Sequence, residues 1–483
     1  MHYHSKQILV LGLGRSGLAA TRLLQQAGAS VTVADSGGGE ALQQHAEALR
    51  AEGVSVHLGE KALSFLQSSA FSLQPLYDRA ILSPGIEPTS PLVQQVVACR
   101  VPLVGELELA YDFCKCPIVA ITGTNGKTTT TELTVAGLLG AGLKTIACGN
   151  IGLPFSEAVV KSAELDVIVI EVSSFQLETT DRFHAHVAVW LNLSPNHLDR
   201  YASVVEYREA KLRIFRNQDS NDVVIIPMQR GQSQKLQNLR SDTKIHRLAP
   251  NSAILGTDPF ASLIANKMTF SSFDESADFF FDGESIFYRC EPLLEMSQTE
   301  LRGAHNAENI MAALAVGVAL NVAPQKMLKG ISTYRSLPHR CEVVMEQEGV
   351  LWINDSKSTT LDAMEKALRS IEKKRRIILI AGGKNKGTSF SSILPLVQER
   401  VKEAILLGEM KRSIAESWHG VVSHQVNSME EAVQLAAAHA EPGDVVLLSP
   451  GSSSYDMFKN YEERGNQFKK AVLQLLKSKS LTS

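Results

Sequence analysis

The sequence predicts an α/β protein built from three units, each with a parallel sheet covered by helices, and three observations lead to that prediction. Short apolar, β-branched runs alternate with helical stretches along the chain, as in parallel strands joined by helices. The alternation starts afresh three times, and each series has a glycine-rich turn after a strand. The length of 483 residues suits about three domains of roughly 150 residues. We predict domains at residues 1–105, 106–336 and 337–483.

The first series is the simplest. Apolar runs at Lys6–Leu13, Ser30–Ala34 and Arg79–Leu82 predict strands, and the apolar spacing of Leu18–Ala27 predicts a helix. Four prolines between residues 84 and 102 then indicate a domain edge.

The second and third series repeat this pattern. The second predicts a helix at Lys127–Leu139 and strands at Pro117–Ile121, Asp166–Ile170, Val187–Leu191 and Asp222–Ile226. From about residue 253 to 300, aromatic segments alternate with turn residues, which predicts an antiparallel β insertion before a helix at Asn306–Val318. The third predicts a helix at Ser428–Ala440 and strands at Val350–Ile353, Arg376–Ile380, Ala404–Leu407 and Val445–Leu448.

Composition excludes several classes of protein. Forty-eight Lys and Arg against 51 Asp and Glu give a net charge of −3, which leaves no basic excess for nucleic acid. Apolar runs such as Ala312–Leu320 fall short of the roughly 18 residues of a membrane span. No cleavage site follows the apolar stretch near the N-terminus, so we expect no signal peptide. Six scattered cysteines indicate reduced thiols in a cytoplasmic protein.

The most specific motif follows the first strand of the second series. This phosphate loop reads Gly123, Thr124, Asn125, Gly126, Lys127, Thr128 and Thr129. Glycines let backbone N–H groups surround phosphate oxygens, the following helix start adds positive charge, and the lysine and a threonine hydroxyl reach the phosphates and Mg²⁺. The alternative is a glycine turn with a surface lysine. The strand before, the helix after and the Gly-Lys-Thr order favour phosphate binding.

A second glycine pattern, the N-terminal loop at residues 12–17, also lies between a strand and a helix. Asp35 ends the next strand, where an acidic side chain can meet a ribose hydroxyl. The pattern favours a nucleotide over a purely structural turn, and NAD is one candidate among several.

Polar residues after two central strands suggest metal or phosphate chemistry. Glu171 ends an apolar strand in the domain of the phosphate loop and is well placed to hold Mg²⁺, although an ordinary strand-end acid is the alternative. His197 follows another strand and could bind a metal or a phosphate, although a lone histidine is more often structural.

Lys211 stands on the apolar stripe of a predicted helix, together with Val204, Tyr207 and Phe215. A lysine there must extend its amine to solvent, find a partner or be chemically altered. From the residues alone, extension to solvent is the favoured interpretation.

Further polar groups gather at strand ends in the third series. Just before it, helix capping explains Asn306, whereas Asn309 could meet an adenine edge. Three loops after strands contain small, polar and cationic residues, which suggests a ligand edge for an anion. These loops are residues 354–359, 382–387 and 449–456.

Together these motifs resemble the Mur ligase family over nearly the whole chain. Ile121 stands where a usual P-loop has its first glycine, and this shortened loop is the form that the family and the folylpolyglutamate synthases use. Other matching positions are Asn150, Glu171, His197, Lys211, His305, Asn306, Leu337–Arg340, Asn354–Lys357 and Ser449–Asp456. The N-terminal loop and the segment Ser454–Gly465 point to the members that add D-glutamate. An Asp-Asn-Pro-Arg-like stretch, expected of the diaminopimelate or lysine adders, is not present.

The resemblance implies a Rossmann-like N-terminal domain, a central P-loop ATPase-like domain with a β insertion, and a Rossmann-like C-terminal domain. It also implies ATP-dependent amide synthesis in the cytoplasm, for peptidoglycan precursors. The alanyl carboxylate of UDP-N-acetylmuramoyl-L-alanine (UDP-MurNAc-L-Ala) would become an acyl phosphate, which the amine of D-glutamate attacks. A monomer is the state that the family favours, with no nucleic-acid partner and no membrane insertion.

The resemblance also implies roles for single residues. Lys127, Glu171, His197 and Lys211 would be catalytic, with Thr128 and Glu171 on one Mg²⁺ and His197 and a carbamylated Lys211 on a second; Mn²⁺ could replace Mg²⁺. ATP would contact the phosphate loop and Asn309, Arg340 and Asp355. The UDP-linked substrate would contact Gly14, Arg15, Ser16, Asp35, Ser36, Ser83, Asn150 and His197. D-Glutamate would contact Lys357, Thr359, Lys386, Ser454 and Tyr461.

Three alternatives to the D-glutamate-adding enzyme have features that separate them from it. A folylpolyglutamate synthase is not expected to begin with a GxGxxG domain. An NAD-dependent oxidoreductase is a hypothesis that uses residues 12–35 alone, and it does not account for the phosphate loop. A non-catalytic nucleotide-binding regulator does not need Glu171, His197 and Lys211 together.

Overall fold

The computed structural model describes residues 3–69, 76–194, 200–228, 259–335, 338–371, 374–384 and 389–479. The chain divides into two compact units, residues 1–295 with 308–332 and residues 296–307 with 333–483. The described strands form three sheets, as the sequence predicts. The first unit contains two of them, and the boundaries near 105 and 336 stay predictions. No described helix is both long enough and apolar enough to cross a membrane.

The N-terminal sheet has five parallel strands in the order β3-β2-β1-β4-β5. The strands are β1 (Gln7–Leu11), β2 (Ser30–Asp35), β3 (Ser55–Leu58), β4 (Arg79–Leu82) and β5 (Leu103–Gly105). The helices are α1 (Arg15–Gln26), α2 (Glu40–Ala51), α3 (Glu60–Ser69) and α4 (Pro91–Ala98). The apolar residues of β1 are fully buried because the strand lies at the centre of the sheet. Its carboxyl end therefore opens directly into the N-terminal loop and α1.

The central sheet has nine strands in the order β14-β13-β12-β11-β10-β9-β6-β8-β7. Its first six strands along the chain are β6 (Ile118–Thr122), β7 (Thr145–Gly149), β8 (Val167–Glu171), β9 (Val187–Trp190), β10 (Val223–Pro227) and β11 (Asn266–Ser271). The associated helices are α5 (Glu106–Tyr111), α6 (Lys127–Gly140), α7 (Phe155–Ala158), α8 (Ser174–Glu178), α9 (Val204–Leu212), α10 (Ala304–Ala319) and α11 (Pro324–Ser332). Short 3-10 segments lie at Val159–Glu164, Arg213–Phe215 and Met296–Gln298.

The predicted β insertion continues this sheet, and only part of it is antiparallel. It contains β11, β12 (Phe279–Phe281), β13 (Ser285–Tyr288) and β14 (Glu291–Glu295). Strand β11 runs parallel to β10, and β12 runs parallel to β11. Only β12 with β13, and β13 with β14, pair as antiparallel hairpins. The alternation of aromatic residues predicts strands but cannot give their direction, which depends on the connections.

The C-terminal sheet has six strands in the order β15-β16-β20-β17-β18-β19. The strands are β15 (Glu342–Gln347), β16 (Val350–Asn354), β17 (Ile377–Gly382), β18 (Val401–Leu407), β19 (Ser423–Gln425) and β20 (Val445–Gly451). The helices are α12 (Leu361–Ser370), α13 (Leu394–Arg400), α14 (Lys411–Ser417), α15 (Met429–His439) and α16 (Tyr461–Lys479), with a 3-10 turn at Phe390–Ile393. Alternate residues of β17 belong to different cores, Leu379 to one face and Ile378 and Ile380 to the other. Burial of both faces explains the continuous apolar runs of these parallel strands.

Candidate active site

The phosphate loop joins β6 to α6 and is closely packed against α10. Gly123 and Gly126 have φ values of +155° and +81°, and only glycine adopts the left-handed value at Gly126 without strain. A Cβ atom on Gly126 would lie 2.4 Å from Asn309 Oδ1. Asn309 Oδ1 also accepts a hydrogen bond of 3.2 Å from the Thr130 hydroxyl. The structure thus brings Asn309 to the loop, and its contact with adenine stays a prediction.

Asn192, at the end of β9, holds the loop and was not among the predicted site residues. Its Oδ1 accepts from the Asn125 N–H at 2.9 Å, and its Nδ2 donates to the Asn125 carbonyl at 3.0 Å. Its own carbonyl accepts from Thr124 N at 3.0 Å. These three bonds give the loop a defined shape from a neighbouring strand.

Lys127 is the first residue of α6, and its ammonium turns back over the loop. Nζ donates to the carbonyls of Gly123 and Thr124 at 3.1 and 2.9 Å. The cation therefore lies on the same concave backbone that a phosphate would occupy, beside N–H groups at a helix start.

Glu171 is the most fixed acid of the site. It ends β8, is 2% exposed, and accepts at Oε2 from Thr128 Oγ1 and at Oε1 from Asn150 Nδ2, each at 2.8 Å. Asn150 is held in turn, since its N–H donates to the Glu171 carbonyl at 2.9 Å. Three predicted residues from three elements therefore meet at one carboxylate.

Lys211 is buried, and the expectation that its amine extends to solvent is wrong. The side chain is 1% exposed and lies on α9, with Nζ donating to the Gly123 carbonyl at 2.9 Å and to Thr122 Oγ1 at 3.3 Å. Burial, with the nearby positive charge of Lys127, lowers the pKa of Lys211 to about 6, although Glu171 opposes the shift. The amine is therefore mostly neutral at pH 7. The apolar stripe of a helix predicts which face is directed inward but not how deeply a side chain on it is buried. Here the burial is nearly complete, so the amine does not reach solvent.

Two predicted residues, His197 and Lys386, lie outside the described residues. Their roles on the second metal and on D-glutamate stay predictions.

The N-terminal loop has the same strand-turn-helix plan with different surroundings. Gly12 has a φ of +94°, and a Cβ atom there would lie 2.9 Å from the Ser83 side chain. Asp35 Oδ2 accepts from Leu13 N and Oδ1 from Gly37 N, each at 2.7 Å. Oδ2 thus holds the N-terminal loop, Oδ1 holds the turn that follows Asp35, and a contact of Asp35 with ribose stays a prediction. Gly14, Arg15 and Ser36 are exposed, Ser16 is half-buried, and Ser83 is buried.

A small cleft within the first unit joins the N-terminal sheet to the segment after Glu171. Its lining includes Pro84, Phe175 and Arg200. Arg200 lies over the Phe175 ring at 3.9 Å and pairs with Glu178 at 2.6 Å. Sequence reasoning missed its acid, Glu106, which is 1% exposed and accepts from Ser156 N and Oγ at 2.7 and 2.6 Å. Burial raises the pKa of Glu106, as expected for a buried acid with no cation beside it in the described contacts.

In the second unit, Asp355 and its neighbours form a polar cluster at the carboxyl end of β16. Asp355 accepts from Cys341 N at 3.1 Å and from Ser449 Oγ at 2.9 Å. Burial raises its pKa to about 7, and the positive charge of Arg340 opposes that shift. The charge of Arg340 thus acts on Asp355, and the contact of both residues with ATP stays a prediction.

The predicted D-glutamate residues lie on the loops that follow. Lys357 Nζ lies 3.7 Å from the centre of the Tyr461 ring, a cation–π contact. Thr359 is half-buried. Ser454 is 2% exposed, and its carbonyl accepts from the N–H groups of Met457 and Phe458. The structure therefore pairs Lys357 with Tyr461.

Arg464, on α16, organises these loops; it lies in the segment Ser454–Gly465 that carries the family resemblance, but it was not among the predicted site residues. It is 1% exposed and donates to the Ser356 hydroxyl at 3.0 Å, the Ser356 carbonyl at 2.8 Å and the Ser452 carbonyl at 3.1 Å. Burial lowers its pKa to about 10. A charged residue near the start of an amphipathic helix carries no sequence signal for such burial.

The phosphate loop, its buried carboxylate and the flanking α/β sheets define a P-loop nucleotide-binding protein. Family models match three successive regions of this chain. They describe a Mur ligase MurD-like N-terminal domain at residues 6–105, a Mur ligase middle domain at 121–317 and a Mur ligase glutamate ligase domain at 339–451.

Curated relatives extend the match to nearly the full length. The UDP-N-acetylmuramoylalanine--D-glutamate ligase of Geotalea uraniireducens is 39% identical over 486 residues, which cover 98% of this chain and 99% of the relative. The protein of the same name from Alkaliphilus metalliredigens is 37% identical over 489 residues, with 99% and 100% coverage. The chain therefore belongs to the Mur ligase family, which confirms the resemblance found in the motifs.

Solved structures share the fold at low identity. The UDP-N-acetylmuramate-alanine ligase MurC of Thermotoga maritima matches with a TM-score of 0.57 at 17% identity, over 98% of this chain and all (100%) of that chain. The MurF ligase of the same organism, solved with ADP, matches with a TM-score of 0.57 at 15% identity, over 98% and 96% of the chains. The three-part α/β architecture is therefore shared with these enzymes.

Proposed function

We propose that the protein is an ATP-dependent amide ligase that joins D-glutamate to the alanyl carboxylate of UDP-MurNAc-L-Ala in peptidoglycan precursor synthesis. Full-length relatives with the corresponding name are 37–39% identical. Within the molecule, the observation that carries the proposal is the buried cluster of Thr128, Glu171 and Lys211 beside the phosphate loop. A simple nucleotide-binding module has no need for a buried neutral amine there. We further propose a cytoplasmic location, where ATP and nucleotide-linked sugars are made.

The first predicted Mg²⁺ site fits the residues that are present. Thr128 Oγ1 and Glu171 Oε2 are hard oxygen donors 2.8 Å apart, of the kind that Mg²⁺ prefers. When bound, the ion would offset the negative charge of the phosphates. Asn150 keeps the carboxylate oriented through its 2.8 Å bond to the other oxygen. Mn²⁺ could use the same ligands.

Lys211 fits the second metal only in a modified form. An amine of pKa about 6 is neutral at pH 7 and can add to CO2. The nitrogen lone pair forms an N–C bond, a proton leaves, and a carbamate with two oxygens results. The new anionic oxygens would be suitable metal ligands beside the cation Lys127. His197 would complete the ligand set.

The chain's residues prepare two anions to react. Lys127 and the helix start would hold the terminal phosphate of ATP while the carboxylate of the substrate attacks phosphorus. The new P–O bond forms as the bond to the β-phosphate oxygen breaks, and ADP leaves. Positive charge at the loop offsets the repulsion between the two anions.

D-Glutamate would then supply the nucleophile. Lys357 and Lys386 would pair with its carboxylates, with Thr359, Ser454 and Tyr461 completing the site. The amine attacks the acyl carbon, and the tetrahedral intermediate expels phosphate as the nitrogen loses a proton. The contact of Lys357 with Tyr461 supports this, since it holds the ammonium in one orientation. Arg340, Asp355 and Asn309 would contact ATP.

The N-terminal loop would bind the UDP end of the substrate. Its helix start can receive a diphosphate, because the N–H groups of α1 begin at an exposed Gly14 and Arg15. Ser16, Ser36 and Ser83 would add hydroxyl donors, with Asp35 near the ribose and Asn150 farther along the substrate.

One assay tests the proposal. Purified protein is incubated with ATP, Mg²⁺, D-glutamate and UDP-MurNAc-L-Ala, and phosphate release is followed while each component is omitted in turn. We expect release only in the complete mixture, together with an amide product by mass spectrometry. Release that persists without D-glutamate, or that is equally fast with L-glutamate, would contradict the proposal.

A further inference from the structure

Three potential metal ligands converge in the second unit, in residues that the proposed ligase reaction does not use. Glu403 Oε2 lies 2.9 Å from His439 Nδ1 and 3.1 Å from His424 Nε2. All three ligand atoms lie within 4.8 Å of one another. The two imidazole rings meet edge to face, with centroids 5.2 Å apart.

The ligands come from three rigid elements. Glu403 lies on β18, and His424 lies on the adjacent β19, where Ile405 and His424 are register partners. His439 lies in the last turn of α15, where the helix dipole favours a cation. Strand β19 is the edge strand of its sheet. An ion bound here would therefore tie that edge to its neighbour and to a helix.

The two histidines provide hydrogen-bond partners for only one of the two oxygens of the Glu403 carboxylate. Glu403 is 6% exposed, and both imidazoles contact its Oε2. Its Oε1 is buried and has no hydrogen-bond partner among the described residues. Burying an unpaired carboxylate oxygen is costly. A cation shared by the carboxylate and the two imidazoles would offset the negative charge that is buried here.

The neighbouring charges are compatible with a cation. Lys402 is the nearest cationic residue along the chain, but its Nζ is held at 3.0 Å by Asp444 and at 3.4 Å by Glu441. It also donates to the His439 carbonyl at 3.0 Å. The two acids offset its charge, which leaves the Glu403 carboxylate available for another cation.

We propose that Glu403, His424 and His439 form a structural binding site for a divalent transition metal, with Zn²⁺ as the best fit. Two imidazoles and a carboxylate are typical zinc ligands, and a tetrahedral ion with bonds of about 2.0–2.2 Å separates its ligand atoms by about 3.3 Å. The two distances from Glu403 Oε2 to the imidazole nitrogens, 2.9 and 3.1 Å, need to open only slightly, and the two nitrogens already lie within 4.8 Å of each other. Water would take the fourth position, since the histidine side chains are 35% and 37% exposed.

The site lies apart from the predicted substrate groups of the same unit. Glu403 is near the start of β18, whereas Asp355 and Lys357 follow the carboxyl end of β16. Parallel sheets bind substrates at their carboxyl ends. The ion would therefore stabilise the unit and would not enter the reaction.

The test is a zinc titration of chelator-stripped, full-length protein. Saturating Mg²⁺ and ADP occupy the phosphate loop, and Cys290→Ser removes an exposed thiol that could bind zinc. Zinc affinity is measured against a chromophoric chelator, and the melting temperature with and without zinc is recorded. Co²⁺ replaces zinc in a parallel sample, because its visible absorption separates tetrahedral from octahedral coordination.

The variants are His424→Gln and His439→Gln, singly and together, with His419→Gln as the control at an exposed histidine. Glutamine is a poor zinc ligand but keeps an N–H donor for Glu403. We therefore expect these variants to fold like the parent, and circular dichroism verifies this. We expect one tightly bound zinc and a raised melting temperature in the parent and in His419→Gln. Each site variant should lose at least about 100-fold in zinc affinity. That exceeds the loss expected when a residue that only hydrogen-bonds a metal ligand is replaced.

Two results would overturn the proposal. One is the absence of zinc binding by the parent at micromolar concentrations. The other is equal zinc binding and equal thermal stabilisation in the double variant, which would assign the ion to other groups.

Discussion

Two glycine-rich loops of this chain share a backbone plan and differ in what surrounds them. The N-terminal loop and the phosphate loop each follow an interior strand of a sheet, precede a helix and contain a left-handed glycine, Gly12 or Gly126. The phosphate loop is flanked by the buried Glu171 and Lys211. At the N-terminal loop, the one nearby carboxylate in the described contacts, Asp35, is used by backbone N–H groups.

This difference corresponds to two tasks: the N-terminal loop has the groups needed to bind a phosphate, whereas the phosphate loop also has charged groups beside it that can take part in phosphoryl transfer. A helix start and a glycine turn are enough to bind a diphosphate. Transfer of a phosphoryl group also needs charges placed at the reacting oxygens. We therefore expect loss of the charged groups beside the phosphate loop, Glu171 and Lys211, to lower kcat, and substitutions at the N-terminal loop to raise KM for the UDP-linked substrate.

The largest effect is expected for Lys211→Ala. Loss of a metal-binding carbamate should lower kcat at least about 1000-fold, because the charge at the second ion is lost. KM for UDP-MurNAc-L-Ala should change little. The measurement is steady-state phosphate release, with Lys161→Ala as a control at an exposed lysine.

A short carboxylic acid distinguishes the carbamate from a simple lysine role. Acetate can occupy the space of the missing carbamate, so we expect it to restore part of the activity of Lys211→Ala. Absence of rescue at any acetate concentration would argue against the carbamate.

Glu171→Gln should have the next largest effect. The substitution keeps the size of the side chain but removes the negative charge beside Thr128, so we expect kcat to fall about 100-fold. The Mg²⁺ concentration for half-maximal rate should rise as well. Titration of Mg²⁺ measures this, and Glu157→Gln, at an exposed acid, is the control. An unchanged Mg²⁺ dependence would remove Glu171 from the metal site.

Gly126→Ala tests the shape of the phosphate loop without changing its charges. The new Cβ atom would lie 2.4 Å from Asn309 Oδ1. In addition, alanine would have to adopt the left-handed φ of Gly126, which is strained for a residue with a Cβ atom. We expect KM for ATP to rise about 30-fold, since strain of about 2 kcal/mol is relieved only if the loop moves. Gly142→Ala is a close control, because Gly142 also has a positive φ, +92°, with open space around it. Equal effects of both substitutions would mean that backbone strain alone, and not the contact with Asn309, disturbs the site.

The strand-turn-helix units and the acid at the end of β8 could be predicted from sequence because each leaves a local pattern. The inward stripe that contains Lys211 could be predicted in the same way. The burial depth of Lys211 could not, since it depends on how α9 packs against β6. The hydrogen bonds made by Asn192 and Arg464 join residues that are far apart in sequence, so no local sequence pattern indicates them.

The same reasoning applies to the second unit. Strand β15 was not predicted, because an antiparallel edge strand with exposed positions lacks a continuous apolar run. Glu403, His424 and His439 have no metal-ligand spacing; the register of β18 and β19 brings the first two together, and the packing of α15 adds His439.

Asp35→Asn tests the N-terminal loop and should have a smaller effect. The amide can accept only one of the two bonds from Leu13 and Gly37, and losing one costs about 1 kcal/mol. We expect KM for UDP-MurNAc-L-Ala to rise about fivefold, as 1 kcal/mol corresponds to about that factor, with kcat and KM for ATP unchanged. A fall in kcat instead would place Asp35 with the reacting groups and remove the distinction between the two loops.

The smallest effect is a pH dependence at Lys211, beside the phosphate loop, because this lysine has a pKa of about 6. Only the neutral amine adds to CO2, so the carbamate should persist above that pKa and be lost as pH falls through it. At about pH 5.5 roughly a quarter of the amine is neutral, and carbamate formation also releases a proton, so the carbamate signal should be at least about fourfold smaller than at about pH 8. Carbon-13 NMR with labelled CO2, at constant dissolved gas, measures the carbamate directly, and Lys211→Ala should show no such resonance. A signal that is constant down to about pH 5.5 would mean that Lys127 and burial do not set the protonation of Lys211 as described, and the chemical contrast between the loops would then rest on Glu171 alone.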